Sequence, residues 1–279
     1  MKTLKYYFEK AEKEKWVIGQ FNFCNFETLK AIIKAAEKLK SPIIVGTSEK
    51  ESKAVGLEQA VALVASYQKK NNLPIFLNLD HGKSFDYIKK AIEAGYDMVH
   101  FDGSLLSLNE NIRITKKIVS YAKKRNVWVE GEIGVIGSAS NKKEILTEPS
   151  KALSFLKETK VDALAIAIGN LHGMVSSGKN PNLNLERLKE IKRLTGKVPL
   201  VLHGGSGTPV KDIKSAIKLG IVKININTEL RMAYTNTLRK ILTEKKKEII
   251  PYKYMPKVIE SVEKIVEDKI KLFGSVNKK

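Results

Sequence analysis

Three of the four histidines in this 279-residue chain stand beside glycine or aspartate, each just past a short apolar run: Asp80-His81-Gly82, His172-Gly173 and His203-Gly204-Gly205. Three neutral imidazoles around one open position are the ligand set of a catalytic zinc ion. Taken singly, each reads more simply as a loop histidine satisfying a hydrogen bond. The intervals between them, 91 and 31 residues, match no local zinc motif, so only the fold could bring the rings together. His100 lies inside an apolar run and reads as a packed strand residue. Asp80, beside a candidate ligand, could serve as general acid or base for a substrate hydroxyl near the metal. Gly204-Gly205-Ser206-Gly207 runs into Thr208-Pro209, which reads as an N-cap followed by proline at the first helical position. Loop amides and a helix N-terminus together attract anions. Metal, anion site and acid suit chemistry on a phosphorylated carbonyl compound. A zinc ion that binds the carbonyl oxygen can stabilise an enediolate, as aldol cleavage or condensation requires.

The elements that must position these residues follow a repeated alternation. Strand candidates fall at 17–21, 43–47, 75–79, 98–101, 127–132, 163–168, 200–202 and 222–226. Helical periodicity fills 27–39, 56–70, 84–94, 109–124, 150–159, 185–195, 210–219 and 229–242, with further helical patterns at 4–15 and 257–272. Gly95 and Gly220 stand where left-handed caps end helices. Eight βα units predict an α/β fold, a (β/α)8 TIM barrel with extra N- and C-terminal helices. No linker or composition break divides the chain, so residues 1–279 are expected to form a single domain. In such a barrel the chemistry sits at the C-terminal ends of the strands. There the polar and glycine residues concentrate: Asp80-His81-Gly82, Asp102-Gly103-Ser104, Glu130-Gly131-Glu132, Gly169 to Gly173, His203 to Gly207 and Asn225 to Thr228.

Lys and Arg exceed Asp and Glu by 50 − 30 = 20. Such a field attracts anions, among them phosphorylated metabolites and nucleic acid. The lysines are spread along the chain, however. Lys116-Lys117, Lys123-Lys124-Arg125 and Lys245-Lys246-Lys247 sit on expected solvent faces, which favours a solvated basic surface over a nucleic-acid or other polyanion role. No apolar run is long enough to span a bilayer and no secretory signal is read, so no membrane role is expected. Cys24 is the one cysteine, which excludes an internal disulfide and suits a cytoplasmic location.

The residues resemble those of the class II, zinc-dependent fructose- and tagatose-bisphosphate aldolases along nearly the whole chain. The likeness runs through Gln20-Phe21-Asn22, Asn78-Leu79-Asp80-His81-Gly82, Phe101-Asp102-Gly103-Ser104, Val129-Glu130-Gly131-Glu132, Ala165 to Gly169, Leu202 to Gly207, Lys223-Ile224-Asn225 and Lys269 to Ser275. The resemblance implies that His81, His172 and His203 bind zinc or another divalent metal, and that Asp80 moves the proton of the C4 hydroxyl. It gives the phosphate of dihydroxyacetone phosphate to Gly173, Gly204 and Ser206, with Thr228 nearby and Asn225 on the enediolate. Arg231 matches a residue gripping a C6 phosphate, with Asn22 and Ser48 near the same end. Asp102 and Glu132 match acidic positions that take an alternative or second metal. The resemblance also implies a phosphorylated sugar substrate, a homodimer or homotetramer, and a monovalent cation, Na+ or K+, near the phosphate.

Two positions depart from the family pattern. Ser140 stands where the family's loop carries the glutamate that takes the C3 proton; Glu144 lies just beyond and could replace it as a loop base. Asn227 stands where fructose-type enzymes carry Asp and tagatose-type enzymes Ala, leaving the C4 epimer open. The expectation is reversible cleavage of fructose or tagatose 1,6-bisphosphate to dihydroxyacetone phosphate and glyceraldehyde 3-phosphate. The alternatives are altered chemistry on another ketose phosphate, or a catalytically weak zinc protein that binds polyanions.

Overall fold

The computed structural model describes residues 2–71, 73–138, 145–175 and 180–279. The elements run α1 (Leu4–Glu14), β1 (Ile18–Asn22), α2 (Phe26–Lys38), β2 (Ile43–Ser48), α3 (Glu49–Val55), α4 (Leu57–Asn71), β3 (Ile75–Gly82), α5 (Phe85–Ala94), β4 (Met98–Phe101), α6 (Leu108–Lys123), β5 (Trp128–Ile133), β6 (Gly137–Ser138), α7 (Pro149–Thr159), β7 (Ala163–Ile166), β8 (Leu171–His172), α8 (Leu185–Thr195), β9 (Leu200–Leu202), α9 (Val210–Lys218), β10 (Ile221–Ile226), α10 (Thr228–Glu244) and α11 (Pro251–Leu272). Eight parallel strands close in the order β1, β2, β3, β4, β5, β7, β9, β10, and β10 pairs back onto β1 through Ile18↔Lys223 to Phe21↔Ile226. β6 and β8 form a separate two-stranded ladder at the rim. This is the expected (β/α)8 barrel.

Period-two alternation explains how the barrel interior is filled. Along β1 the inward series is Ile18, Gln20, Asn22; along β3 it is Phe76, Asn78, Asp80; along β4 it is Met98 and His100, with Asp102 just past the strand. Each series starts apolar and ends in chemistry. The lower layer joins Ile18, Ile44, Phe76, Met98, Ala163, Ala165, Val201 and Val222 to Leu4, Tyr7, Phe8 and Ala11 of α1 and to Trp16. The N-terminal helix is therefore a plug that seals the lower mouth. A larger apolar cluster fills the space between strands and outer helices, with Val45, Leu77, Val129 and Leu164 from the strands and Ile32, Ile118, Phe155 and Ile191 from the helices. Above the plug, Gln20, Asn78, His100, Glu130 and Lys223 are fully buried and polar.

Three local expectations are corrected. The helical pattern at 56–70 belongs to α4 alone. A separate α3 precedes it, and Gly56, in a left-handed conformation at φ 91°, parts the two. Thr208 does not cap α9: Pro209 occupies the N-cap position, and the Thr208 hydroxyl instead donates back into the glycine loop, to Gly204 O at 3.0 Å. The last helix begins at Pro251, before the expected 257. The lysine clusters at 116–117, 123–125 and 245–247 are exposed, as a solvated surface requires. Among the described residues, no helix is long and apolar enough to cross a membrane.

Phe8 is 1% exposed and packs against Trp128 at a ring-centroid distance of 5.3 Å. Phe8→Ala is expected to cost about 3–5 kcal/mol in urea unfolding, the range for a deleted core aromatic. A loss below about 1 kcal/mol would show that the plug lies outside the cooperative core.

Candidate active site

The geometry begins with a strained backbone. The pairing of β3 with β4 slips between Leu79 and Gly82. Within that slip His81 takes φ 51°, a left-handed conformation uncommon for a residue with a side chain. Its amide donates to His100 Nδ1 at 3.1 Å, so the buried strand histidine anchors the bulge. The imidazole of His81 then lies with Nδ1 3.0 Å from Asp102 Oδ2 and Nε2 3.0 Å from His203 Nδ1. His203, just past β9, has its other nitrogen 2.6 Å from Glu130 Oε1. Lys223 Nζ donates to Glu130 Oε2 at 2.8 Å and to Asn225 Oδ1 at 2.8 Å, which neutralises a carboxylate that has no access to water.

His172 reaches the site on a loop rather than a barrel strand. The β6–β8 ladder pins it through Gly137↔Leu171 and Ser138↔His172. Asn170 braces the same loop, accepting from Ile168 N at 2.8 Å and donating to His203 O at 3.0 Å. The three rings converge: centroids are 4.7 Å apart for His81 and His203, 4.8 Å for His81 and His172, and 6.1 Å for His172 and His203.

This donor set suits a divalent metal. His81 and His203 each spend one nitrogen on a carboxylate, which turns the other toward the shared space, the usual support for a metal-binding imidazole. Burial, with His81 and His203 alongside, lowers the His172 pKa to about 4, so its ring is neutral at pH 7. Burial also lowers His203, against the pull of Glu130. His81 differs. Burial alone would depress it, but Asp80, Asp102 and Glu132 outweigh burial and raise it to about 9. His81 Nε2 and His203 Nδ1 thus face each other at 3.0 Å, along the line a cation would share.

Asp80 is buried, and burial would raise its pKa. His81, His203, His100 and Lys223 outweigh this and hold it as a carboxylate. Its oxygens are aimed by two amides: Asn22 Nδ2 donates to Oδ2 at 2.9 Å and Asn225 Nδ2 to Oδ1 at 3.0 Å. Asp102 and Glu132 gather with His81, their donor atoms within 4.8 Å of one another. Asp102 also accepts from Lys83 Nζ at 2.5 Å and Ser104 Oγ at 2.6 Å.

A cavity of about 310 Å³ opens above these groups, lined by Ser48, Asp80, the three histidines, Gly173, Gly204, Ser206, Asn225, Asn227, Thr228 and Arg231. One wall is built for an anion. Gly204 has φ 65°, and a Cβ there would meet Leu171 O at 2.1 Å, so only glycine lets these loops close together. The N-terminus of α10 at Thr228 has no side-chain cap, and Ser206 Oγ accepts from Glu229 N at 3.3 Å. Every sequence-derived site residue within the described set thus lines this cavity or stands directly behind it: Asn22 lies behind Asp80, and Asp102 and Glu132 behind His81. Glu144 lies outside the described residues, as does Ser140.

The sequence reading took His100 for a packed strand residue, which its full burial bears out, but gave no site role to it, to Lys223 or to Glu51. The first two are buried polar residues inside strands, where a single sequence offers no cue to what they face. Glu51 is buried at 6% exposure and engages Arg231, Asn227 and Asn22. Its local cue was Ser48-Glu49-Lys50-Glu51, the spacing of a capping box, and that box is formed.

Fold and site together suit a barrel lyase of the aldolase type, with a histidine cluster able to hold a metal. The family model described as "Fructose-bisphosphate aldolase class-II" matches residues 2–278, and the chain belongs to that family. It is 39% identical over 276 residues to a sulfofructosephosphate aldolase of Alkalicoccus urumqiensis, covering 97% of this chain and 95% of that one. It is 38% identical to a 6-phospho-5-dehydro-2-deoxy-D-gluconate aldolase of Bacillus subtilis (strain 168), covering 99% and 96%. The crystal structure of the YdjI aldolase from Escherichia coli K12 superposes with a TM-score of 0.85 at 34% identity, covering 99% and 98%.

A metal must displace the His81 proton, so zinc affinity is expected to rise with pH between 7 and about 9, by about tenfold per unit, and then level off. Zinc titration against a competing chelator at pH 7, 8 and 9 checks this. An affinity independent of pH would contradict the assignment of that proton.

Proposed function

We propose that this chain is a zinc-dependent aldolase that reversibly cleaves a ketose 1-phosphate to dihydroxyacetone phosphate and an aldehyde. The observation that carries the reading is the convergence of His81, His172 and His203 beside the ionised Asp80 in one cavity. His81, His172 and His203 would hold the metal, which when bound would supply Lewis acidity toward the ketone oxygen. Asp80 accepts the proton of the C4 hydroxyl as the C3–C4 bond breaks, C4 leaves as an aldehyde, and the electron pair stays on C3. Asn225, which donates to Asp80 and lies 3.2 Å from His203 Nδ1, stabilises the oxygen on which charge develops. Gly173, Gly204, Ser206 and Thr228 hold the phosphate at the N-terminus of α10. Glu144 returns a proton to C3 to complete dihydroxyacetone phosphate. Asp102 and Glu132 steady His81 and form an alternative metal position.

Fructose or tagatose 1,6-bisphosphate, yielding glyceraldehyde 3-phosphate, is the form suggested by the family match of Asn22, Ser48 and Arg231. A ketose phosphate with a different far end is the second reading. It is favoured by the engagement of Arg231 with Glu51, and by the different sugars named for relatives of similar identity. The resemblance also points to a homodimer or homotetramer working on soluble metabolites.

Exchange of the C3 proton of dihydroxyacetone phosphate into D2O tests the reading without any choice of aldehyde. Chelation of zinc, His203→Ala and Glu144→Ala are each expected to slow that exchange by about 10²–10³-fold or more, and His203→Ala also to lose stoichiometric zinc. Undiminished exchange in His203→Ala would refute the metal assignment. Undiminished exchange in Glu144→Ala would assign the loop base elsewhere.

A further inference from the structure

Resting on the aldolase reading of this cavity, we propose that Glu51 shapes its far end for an uncharged, hydroxyl-bearing aldehyde, so that the substrate is a ketose 1-phosphate with no second anionic group. The cavity has two chemically different ends. One, formed by Gly173, Gly204, Ser206 and the N-terminus of α10, presents amides and a hydroxyl to an anion. The other is formed around α3, which follows β2 and therefore lies beyond β1 from the phosphate-side loops of β9 and β7. Ser48, Asn227 and Arg231 line that end, and a buried carboxylate, Glu51, stands directly behind them.

Both oxygens of Glu51 are fully engaged. Oε2 accepts from Ser48 N at 2.8 Å and from Asn22 Nδ2 at 3.1 Å. Oε1 accepts from Asn227 Nδ2 at 3.1 Å and from the Arg231 guanidinium. A capping box accounts for Oε2 alone, and an exposed glutamate at the same helix position would serve it equally. It does not account for burial, nor for two donors on Oε1 from residues 176 and 180 positions away. Those donors are the groups a terminal phosphate or sulfonate would need. With Glu51 present, Arg231 offers no net positive charge, and an arriving anion meets a like charge just behind the lining. A neutral hydroxyl has no such conflict: it can accept from the Asn227 amide or the Arg231 guanidinium, both of which line the cavity. A site that rejects a competitor by an unfavourable charge is choosing by repulsion as well as by fit.

The test compares condensation of dihydroxyacetone phosphate with D-glyceraldehyde and with D-glyceraldehyde 3-phosphate on the zinc-loaded enzyme. The wild type is expected to favour the uncharged aldehyde in kcat/KM by about tenfold or more. Glu51→Gln retains the capping-box acceptor and removes the charge. It is expected to move the ratio toward the phosphorylated aldehyde by about tenfold, and Arg231→Ala in that background to cancel the gain. A wild type that favours the phosphorylated aldehyde, discriminates between neither or condenses neither overturns the inference, as does an unmoved ratio in Glu51→Gln. Proton exchange at C3, measured in parallel, separates the two levels. Its absence in the wild type sinks the aldolase reading itself, whereas intact exchange with the wrong aldehyde preference sinks only the role of Glu51.

Discussion

Two carboxylate–imidazole hydrogen bonds hold this site together: Glu130 to His203 at 2.6 Å and Asp102 to His81 at 3.0 Å. Each orients its ring, His203 through Nε2 and His81 through Nδ1, and so turns the opposite nitrogens of the two rings toward each other. Neither carboxylate could stay ionised where it is without help, because burying an unpaired charge is costly. Burial pushes Glu130 upward, but Lys223, His100 and His203 outweigh it and keep it well below the usual carboxylate range. The same holds for Asp102, where His81, His100 and Lys83 oppose burial. The polar interior of the barrel is thus one electrostatic unit, in which lysine, carboxylates and imidazoles set one another's charge.

That unit can exist only above a dry floor. The inward series of the strands pass from apolar to polar with height, and the lower layer is sealed by α1 and Trp16. If water reached Glu130 and Lys223 from below, the low dielectric that strengthens their pairing would be lost. The N-terminal helix therefore contributes to the site without touching it. At the upper rim the demand is opposite: the loops must stay open to an anion. There Gly204 keeps the loops close without a side chain, and Asn227 leaves the start of α10 without a cap of its own, so that Ser206 Oγ reaches across to Glu229 N.

Much of this was legible in the sequence, for a physical reason. Strands buried on both faces of a barrel read as apolar runs, and each stops where a polar or glycine residue turns the chain at the rim. His81, His172, His203 and Asp80 could therefore be gathered before any coordinates, although their spacing is uninformative. What escaped reading lies inside the strands or depends on distant partners. His100 and Lys223 are polar residues in apolar runs, and only the closed barrel shows that they face His81 and Glu130. The ladder that pins His172 joins segments 34 residues apart, as Gly137↔Leu171 does, and each is only two residues long. Glu51 had a local cue in its spacing from Ser48, but its partners Asn227 and Arg231 come from the other end of the chain. Thr208 followed the cap rule locally and was drawn instead to Gly204 O, a tertiary contact overriding a local preference.

The claim on which all this turns is that three imidazoles share one cation. X-ray absorption at the zinc edge of the loaded protein tests it most directly. Three histidine nitrogens at about 2.0–2.1 Å, with the remaining coordination made up by solvent oxygen, is the predicted shell. A shell of carboxylate oxygens with one imidazole, as binding by Asp102, Glu132 and His81 would give, would contradict it.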